Sequence, residues 1–382
     1  MKVGFLSFMY EGDTGSATYA RCFVDGLARK KEIDEIRIIT SDNEKKPIET
    51  MKNKNFKKIY CSLKPPFNRY EFLLKSFKLE EALRNVDIIQ AQHSFEGLLA
   101  NKCKKDYGTP FILVREVVSK YLPSIYSRIL LFNIEKFLTK KLDYNMLVSW
   151  SNYMVENYFL KWSISPKKIT VIPGGIDTKK FNSKIKYVDI RKNYRIDDDE
   201  ITFLSVKVFS MSNILGLLEA IKAFNYFLRN SKNDAKYMII GDGRGRIYLE
   251  KLINRLGINK NIILVGNVPN KQLINYYRSV DATIHFFAYD PSISISMLES
   301  LACGIPIITT NTGETRNIVN ENVGFIVPPD TQKMGEAMDL FCRSSELKKR
   351  MSKNAIDLVK KRFDIDVITD AYVKLYKKII GE

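Results

Sequence analysis

Short β-rich runs of apolar residues alternate with amphipathic stretches along most of the chain. In the amphipathic stretches, apolar residues recur three and four positions apart, which is typical of helices that lie on a sheet. Strands that alternate with helices form parallel sheets covered on both faces. The pattern therefore predicts an α/β protein with two doubly wound Rossmann-like domains. The predicted strands are 2–8, 36–40, 57–61, 87–91, 111–115, 145–149, 169–172, 201–206, 237–240, 262–265, 282–286, 305–309 and 324–327, and the helices predicted in the first half are 15–30, 67–84 and 125–142.

A charged stretch with poor periodicity, 182–199, interrupts this alternation and predicts a linker. It separates an N-terminal domain, 1–181, from a C-terminal domain, 200–364. The length of 382 residues fits two domains, because a single core seldom grows that large. The closing helix has an apolar face that needs a partner, so 365–382 is predicted to return to the first domain. Two such sheets in tandem would place their ligand-binding strand ends on either side of one cleft.

The formal net charge of +18 is concentrated in the first half of the chain. Residues 1–184 carry 32 Lys and Arg against 20 Asp and Glu, which is an excess of +12 there and leaves +6 for the rest. Such a bias attracts anionic partners but does not indicate a fold. The basic residues do not cluster with a recognised nucleic-acid-binding module, so no nucleic-acid partner is predicted.

Cysteine spacing and hydropathy bear on the compartment. The five cysteines lack C-x-x-C spacing and predict buried free thiols, with neither disulfides nor a zinc site. The free thiols indicate a reducing compartment, so a cytoplasmic location is expected. No apolar run approaches the ~18 residues that span a bilayer, so the protein is expected to be soluble or to lie at a membrane surface. The basic and aromatic segment 120–141 would suit docking on an anionic membrane surface, which would make the protein peripheral there. A helix packed on a sheet has much the same composition.

The stretch 296–308, an apolar helix followed at once by an apolar strand, carries the most informative candidate chemistry. Glu299 lies within this otherwise apolar helix, which follows the small-residue loop 292–294 and ends at Gly304-Ile305-Pro306. Free backbone amides and the positive end of the helix dipole suit a phosphate. Glu299, one turn into the helix, could then accept hydrogen bonds from a sugar hydroxyl. The alternative interpretation is a buried helix with a capped carboxylate.

Two successive predicted strands end in glycine-containing turns, at 241–243 and 266–268, which would let backbone approach a flat or anionic ligand. Together with the Glu299 helix, their order and spacing resemble the retaining glycosyltransferases of the large family 4 (glycosyltransferase group 1). That family includes sucrose synthases and bacterial mannosyl- and glucosyltransferases and has the GT-B fold, with two Rossmann-like domains facing across a cleft. The resemblance covers most of the chain and also rests on Gly15 and Ser16 after the first strand, on 171–177, Asp281, the turn 324–329, and Arg362-Phe363.

The resemblance implies a nucleoside-diphosphate-sugar donor bound by the second domain and a lipid-linked, polysaccharide or protein glycan acceptor bound by the first. The sugar would be transferred with retention at the anomeric carbon, without a metal ion or other cofactor. The implied catalytic residues are His93, Lys207 and Glu299, the last of which would contact the ribose. The implied donor-binding residues are Gly15, Ser16, Gly243, Asn267, Val268, Asp290, Ser294, Ile295 and Ser296, and the strand-end residues Arg115 and Glu116 are acceptor-side candidates.

The sequence also departs from the family pattern. A gapless match places Gln92 where the family often has a histidine, so His93 either lines the active site or is a satisfied loop histidine. Lys207 stands where an arginine is usual and loses its two-pronged geometry, and Ser212 stands where a lysine is usual. Pro291 and Asn317 occupy positions where glutamates are common. These departures leave two alternatives open: a catalytically silent GT-B protein that supports a partner, and a nucleotide-sugar epimerase.

Overall fold

The structure is a computed structural model that describes residues 1–7, 10, 15–41, 55–61, 79–116, 125–211, 213–287 and 293–382; for 41, 55–61 and 125–128 it describes the backbone alone. The chain forms two compact units. Unit 1 comprises Met1–Gly175 and Ile365–Glu382, and unit 2 comprises Ile176–Asp364. Each unit contains a parallel sheet accompanied by helices, which confirms the predicted α/β class with two doubly wound domains.

Unit 1 is built on a seven-stranded sheet with the order β3-β2-β1-β4-β5-β6-β7. The order reverses between β1 and β4, where Leu6 pairs with Ala91. The carboxyl ends of parallel strands meet at one edge, and ligands of such sheets bind beyond that edge near the reversal. The elements are β1 Lys2–Leu6, α1 Gly15–Ala28, β2 Glu35–Ser41, β3 Asn55–Cys61, β4 Ile88–Ala91, α2 Glu96–Tyr107, β5 Phe111–Arg115, α3 Ile125–Lys141, β6 Met146–Ser149 and β7 Ile169–Val171, with short helical turns at Asn152–Met154, Val155–Phe159 and Pro166–Lys168.

Unit 2 repeats this plan with six strands in the order β10-β9-β8-β11-β12-β13. Here the reversal lies between β8 and β11, where Leu204 pairs with Thr283. Its elements are β8 Ile201–Val206, α4 Ile214–Asn230, β9 Ala235–Ile240, α5 Arg246–Leu256, β10 Ile262–Gly266, α6 Leu273–Arg278, β11 Ala282–His285, α7 Ile295–Ala302, β12 Ile307–Thr310, α8 Thr315–Ile318, β13 Gly324–Val327, α9 Thr331–Cys342 and α10 Ser345–Arg362, with short turns at Lys192–Tyr194 and Asn270–Gln272.

The closing helix, α11 (Ile365–Ile380), belongs to unit 1 and packs against α1. The rings of Phe23 and Tyr372 meet edge to face at 4.8 Å. Gly26 allows the two helices to approach closely, since a Cβ there would lie 3.0 Å from Ile365 Cγ1. Arg29 forms an ion pair with Asp366 at 3.0 Å. The apolar stripe of α11 thus completes the core of the unit that contains the first strand.

The predicted linker 182–199 belongs to unit 2, which begins at Ile176 and not at residue 200. The amide of Val188 donates to Asn275 Oδ1 at 2.9 Å, and the amide of Ile190 donates to Ser279 Oγ at 3.1 Å. Ile190 and Ile196 are buried. Because charged residues separate these two buried isoleucines, the periodicity of the sequence does not reveal them.

Other boundaries also differ from prediction. β1 ends at Leu6, two residues before the predicted end, and of the predicted helix 67–84 only 79–82 are described as helical, 67–78 lying outside the described residues. Within the described ranges, no helix is both long and apolar enough to cross a membrane. Of the cysteines with described side chains, Cys22, Cys103, Cys303 and Cys342 are all free thiols.

Candidate active site

Lys207 follows β8 directly and is a half-buried cation at the carboxyl edge of the second sheet. Its Nζ lies 3.5 Å from the carbonyl oxygen of Phe286 and 4.3 Å from the centre of the Phe287 ring. Burial lowers the pKa of Lys207 to about 8, and no carboxylate of the described residues opposes that shift. The ammonium group is therefore held by a carbonyl and an aromatic face, and its charge is available to an anion.

A glycine-rich turn after β9 packs directly on the loop that carries Lys207. Gly241 has φ +136°, and a Cβ there would lie 1.9 Å from the carbonyl oxygen of Lys207. Gly243 has φ +144°, and its Cβ would lie 2.9 Å from the carbonyl oxygen of Phe209. The amide of Phe209 donates to Asp242 O at 2.9 Å, which joins the two loops. These glycines are needed to pack one strand-end loop on the next, and the donor contact implied for Gly243 stays a prediction.

Glu299 is 3% exposed, and both of its carboxylate oxygens have partners. Tyr277 donates its hydroxyl hydrogen to Oε2 at 2.8 Å, and Asn270 donates from Nδ2 to Oε1 at 3.2 Å. Burial raises the pKa of Glu299 to about 7, although both hydrogen bonds act to lower it. This is the geometry of the buried, capped carboxylate. Each oxygen accepts one hydrogen bond here and keeps a second lone pair, to which a ribose hydroxyl can still donate. The ribose contact implied for Glu299 therefore stays a prediction.

The start of α7 lies after β11, the strand adjacent to β8 in the sheet. The amides of Met297 and Leu298 donate to the carbonyl oxygen of Ser294 at 3.1 and 3.4 Å, so the amides of Ile295 and Ser296 precede these helical bonds. Ser294 Oγ and Ser296 Oγ are 3.0 Å apart. The residues just before, 288–292, lie outside the described residues. Asp290, Pro291 and Ser292 are among them, and Ser212 also lies outside the described residues.

Asn267 and Val268 follow β10, with Asn267 exposed and Val268 half-buried. The carbonyl oxygen of Gly266 accepts a hydrogen bond from the Gly241 amide at 2.9 Å, so the turns after β9 and β10 are joined at one edge of the sheet. The structure brings the predicted donor-binding residues of unit 2 to this edge wherever it describes them.

His285 is a buried neighbour of Lys207 at the end of β11. Its Nε2 lies 3.2 Å from Thr283 Oγ1, and its ring stacks on Phe287. Burial, and then the charge of Lys207, lower the pKa of His285 to about 3, so its ring is neutral at pH 7. Phe287, Tyr277 and Asn270 were missed by sequence reasoning, since a single aromatic or amide residue carries no motif.

In unit 1, Arg115 ends β5 and is fully buried. Its Nη2 lies 2.9 Å from Glu135 Oε2, and its Nη1 donates to Ser94 Oγ at 2.5 Å. Thr139 Oγ1 in turn lies 3.0 Å from Ser94 Oγ. The guanidinium is thus part of an internal ion pair between β5 and α3. This position does not favour the acceptor-side role predicted for Arg115.

Glu116 is the next residue and has a different environment, because successive residues of an extended chain point to opposite faces. It is 3% exposed, and its Oε2 has no hydrogen-bond partner in the described part of unit 1. Burial raises the pKa of Glu116 to about 8, while a hydrogen bond from Ser16 acts to lower it. Glu116 is therefore protonated at pH 7 and can donate a hydrogen bond. Ser16 lies in the first turn of α1, which begins at Gly15.

Gln92 and His93 follow β4, the strand beside β5. Gln92 is buried, and neither its amide oxygen nor its amide nitrogen has a partner among the described side chains and backbone. His93 is half-buried, and its carbonyl oxygen accepts from the Gly97 amide at 3.0 Å. Gln92 and Glu116 thus place unused hydrogen-bonding capacity at two adjacent strand ends. In the described ranges, no three His, Cys, Asp or Glu residues are arranged to hold a metal ion.

Comparison with known protein families identifies the family of the chain. Residues 14–180 match the family described as Glycosyltransferase Family 4, and residues 188–358 match Glycosyl transferases group 1. The two matches together take in nearly all of both units. The chain belongs to the family 4 glycosyltransferases. This confirms the family assignment suggested by the sequence.

Curated relatives of this family 4 protein are distant. An uncharacterized glycosyltransferase from Methanocaldococcus jannaschii is 26% identical over 220 residues, covering 55% of this chain and 54% of the relative. The N-acetyl-alpha-D-glucosaminyl L-malate synthase of Bacillus anthracis is 21% identical over 317 residues, covering 82% and 80%. The chain spans about half the length of the first relatives that it matches.

Solved structures show the fold of this family 4 protein. A sucrose-phosphate synthase from Thermosynechococcus elongatus superposes with a TM-score of 0.82 at 17% identity, covering 100% of this chain and 99% of that one. The Anabaena protein HepE, in complex with UDP-glucose, superposes with a TM-score of 0.75 at 14% identity, covering 99% and 100%. These likenesses confirm the GT-B fold.

Proposed function

We propose that this protein is a retaining glycosyltransferase that moves a sugar from a nucleoside-diphosphate-sugar donor to a glycan acceptor. The acceptor is lipid-linked, a polysaccharide or a protein glycan. In this proposal unit 2 binds the donor, and Glu116 and Gln92 of unit 1 offer hydrogen bonds to an acceptor hydroxyl. The free thiols fit a reducing compartment, and a cytoplasmic location belongs to the same proposal.

The observation that carries the proposal is that Lys207 and the start of α7 lie at the same edge of the sheet. Lys207 follows β8, α7 follows β11, and these strands are adjacent and parallel. A leaving diphosphate is stabilised by positive charge that is already in place, and in this proposal the half-buried ammonium of Lys207 and the helix amides provide it. The HepE structures have the same fold and hold UDP and UDP-glucose, which supports a nucleotide donor for this chain.

Metal independence is part of the proposal. Lys207 and the amides of Ile295 and Ser296 together supply the charge that a divalent cation supplies in other transferases. Transfer activity measured with excess EDTA should equal activity with added Mg²⁺ or Mn²⁺. A rate that falls to background in EDTA and returns with one cation would contradict this part.

A lipid-linked acceptor is favoured by one curated relative. The alpha-monoglucosyldiacylglycerol synthase of Acholeplasma laidlawii is 24% identical over 220 residues, covering 56% of this chain and 54% of that one. Its name describes a glycolipid product. For this chain the acceptor class remains a proposal, to be tested by incubation with radiolabelled donor and extraction of lipid, polysaccharide and protein fractions.

The central experiment is calorimetric titration of the protein with UDP-, GDP- and ADP-sugars, followed by product analysis. We expect binding of one donor and release of its nucleoside diphosphate only when acceptor is present, with the anomeric configuration kept in the NMR spectrum of the product. A folded protein that binds none of the donors would overturn the proposal. Conversion of the donor to an epimer without acceptor would favour an epimerase.

A catalytically silent role is the second candidate, and one geometry favours it. Asn317 stands where a glutamate is common, and its Nδ2 donates to Glu314 Oε1 at 3.1 Å, so this amide is used internally. The partnered carboxylate of Glu299 adds to this. If Glu299→Ala left cellular glycan unchanged while deletion of the protein altered it, the silent role would be supported.

A further inference from the structure

Helix α3 has two different faces, and one of them is committed to the core of unit 1. On this inner face Glu135 pairs with Arg115, and Thr139 bonds to Ser94. Phe132 and Leu138 pack against the buried cluster of the unit, with the Phe132 ring 5.5 Å from that of Trp162. Among the described residues, the inner face therefore anchors α3 to the rest of the unit.

The outer face of α3 is also apolar. Residues 129, 130, 133, 134 and 137 share one side of the helix, because each residue advances the helix by about 100°. Ile129, Leu130 and Phe137 are each 58% exposed. A groove of about 400 Å³ lies along them, lined by Ile129, Leu130, Asn133, Ile134 and Phe137. A helix packed on a sheet needs one apolar face, so this second face needs another explanation.

The exposed charges on α3 are all positive. Lys140 and Lys141 are exposed and continue the outer face at the C-terminal end of the helix, and Lys136 borders it. The sole acidic residue of α3 is Glu135, which is buried and neutralised by Arg115. The exposed charge that α3 adds beside the apolar stripe is thus entirely positive. It lies in the half of the sequence that holds +12 of the net charge of +18.

We propose that the outer face of α3, which we call the α3 stripe (Ile129, Leu130, Asn133, Ile134 and Phe137), docks on a bilayer that contains anionic lipids. The apolar side chains enter the boundary between headgroups and acyl chains, and the lysines remain at the level of the lipid phosphates. Anionic lipid matches the lysines in charge, and an acyl layer matches the stripe. The proposal goes beyond sugar transfer, because docking needs neither donor nor acceptor.

The test is co-sedimentation of the purified full chain with vesicles of phosphatidylcholine alone and of phosphatidylcholine mixed with phosphatidylglycerol. We expect binding to the mixed vesicles, which weakens with added salt. The double substitution Lys140→Glu/Lys141→Glu should weaken binding at least tenfold, since each basic residue near an anionic surface contributes about fivefold. The triple substitution Ile129→Ser/Leu130→Ser/Phe137→Ser should weaken it to a similar or greater degree.

Matched controls come from unit 2. Val188→Ser/Ile247→Ser/Leu340→Ser removes three scattered apolar side chains that are 63%, 52% and 50% exposed. Lys349→Glu/Arg350→Glu reverses two exposed charges of α10. Both controls should bind vesicles like the unsubstituted protein. All variants should keep the same thermal unfolding midpoint and the same rate with a water-soluble acceptor, so a failure of docking is separable from a failure of transfer.

Three outcomes would overturn the proposal. One is no binding to mixed vesicles by a folded protein. Another is equal loss of binding in the α3 variants and in their controls, which would assign the effect to net charge or general apolarity. A third is a dimer in solution that the triple substitution at Ile129, Leu130 and Phe137 dissociates while vesicle binding is absent, which would assign the stripe to a second copy of the chain.

Discussion

The hydroxyl of Tyr277 donates to Glu299 Oε2 at 2.8 Å across the interval between α6 and α7. Tyr277 is fully buried, and burial together with the nearby carboxylate raises its pKa well above the usual range, so it stays a hydrogen-bond donor at all moderate pH values. The most prominent carboxylate of the sequence is thereby fixed in place by a residue that no motif identifies. Its position is thus fixed, while its protonation changes with pH near neutrality.

Stability should report the protonation of Glu299. Its pKa is raised to about 7 in the folded protein, above an unfolded value near 4.3. The folded state therefore binds more protons than the unfolded state between these values, and stability should fall as pH rises through this window. Glu299→Gln should raise the unfolding temperature relative to the unsubstituted protein at pH 8 and change it little at pH 4.5. Thermal unfolding followed by circular dichroism measures this.

The exposed residue Glu250 provides the control for that experiment. It forms a surface ion pair with Arg246 at 2.8 Å, and Glu250→Gln should shift the unfolding temperature by the same small amount at both pH values. Equal effects of Glu299→Gln at pH 4.5 and pH 8 would show that the carboxyl group does not titrate in this window.

Glu116 should show the same sign over a wider range. Its pKa is raised to about 8, so stability should decline between pH values of about 4.3 and 8. Glu116→Gln keeps a hydrogen-bond donor and removes the ionisation, and it should stabilise the protein at pH 9 by on the order of a few kcal/mol. Urea unfolding at pH 5 and pH 9 measures the difference. A destabilised variant at pH 9 would show that the ionised form has a partner.

Donor binding should depend on the charge of Lys207. Lys207→Met keeps most of the side-chain volume and removes the charge, so donor affinity should fall by about tenfold to a hundredfold, the effect of one charged hydrogen bond. With the pKa of Lys207 lowered to about 8, donor affinity of the unsubstituted protein should decrease as pH rises from 7 to 9. Calorimetry across this range checks both, and Lys222→Met on α4 serves as the control.

The turn after β9 should tolerate no side chain. Gly241→Ala would place a Cβ 1.9 Å from the Lys207 carbonyl oxygen at φ +136°, and it should cost more than about 3 kcal/mol of stability. Gly257→Ala is the matched control, because it also has positive φ, +70°, but no atom within 4 Å of its Cβ. It should cost only about 1 kcal/mol. Equal costs in urea unfolding would contradict the packing explanation.

The buried ion pair of unit 1 should show strong coupling. Arg115→Met removes the guanidinium that neutralises the buried Glu135 carboxylate and should cost about 3 to 5 kcal/mol. Adding Glu135→Leu removes the isolated charge and should recover most of that loss. A double-mutant cycle by urea unfolding measures the coupling. Additive costs in the double variant would show that Glu135 finds another partner.

Periodicity predicted the class and strand content of both units because buried parallel strands are continuous apolar runs. It failed at 182–199, where two apolar anchors, Ile190 and Ile196, lie among charged residues. The residue pattern identified the Glu299 helix and the glycine turn, and the family resemblance rested on them. It did not reveal that Gly241 serves backbone packing, since close approach between distant loops leaves no local pattern. Arg115 and Glu116 were both predicted to lie on the acceptor side because they are adjacent in sequence, although their side chains have different environments.

Unit 1 contains chain from both sides of unit 2 in the sequence, because α11 supplies the surface on which α1 packs. During synthesis the strands of the first sheet are made early, but α11 is made only after all of unit 2. Until then Phe23 and its neighbours on α1 lack the helix that covers them. Unit 2 has no such dependence and can fold as soon as its own residues emerge. The earlier-translated unit is thus the later one to mature, and it is the one that needs protection from premature association in the cell.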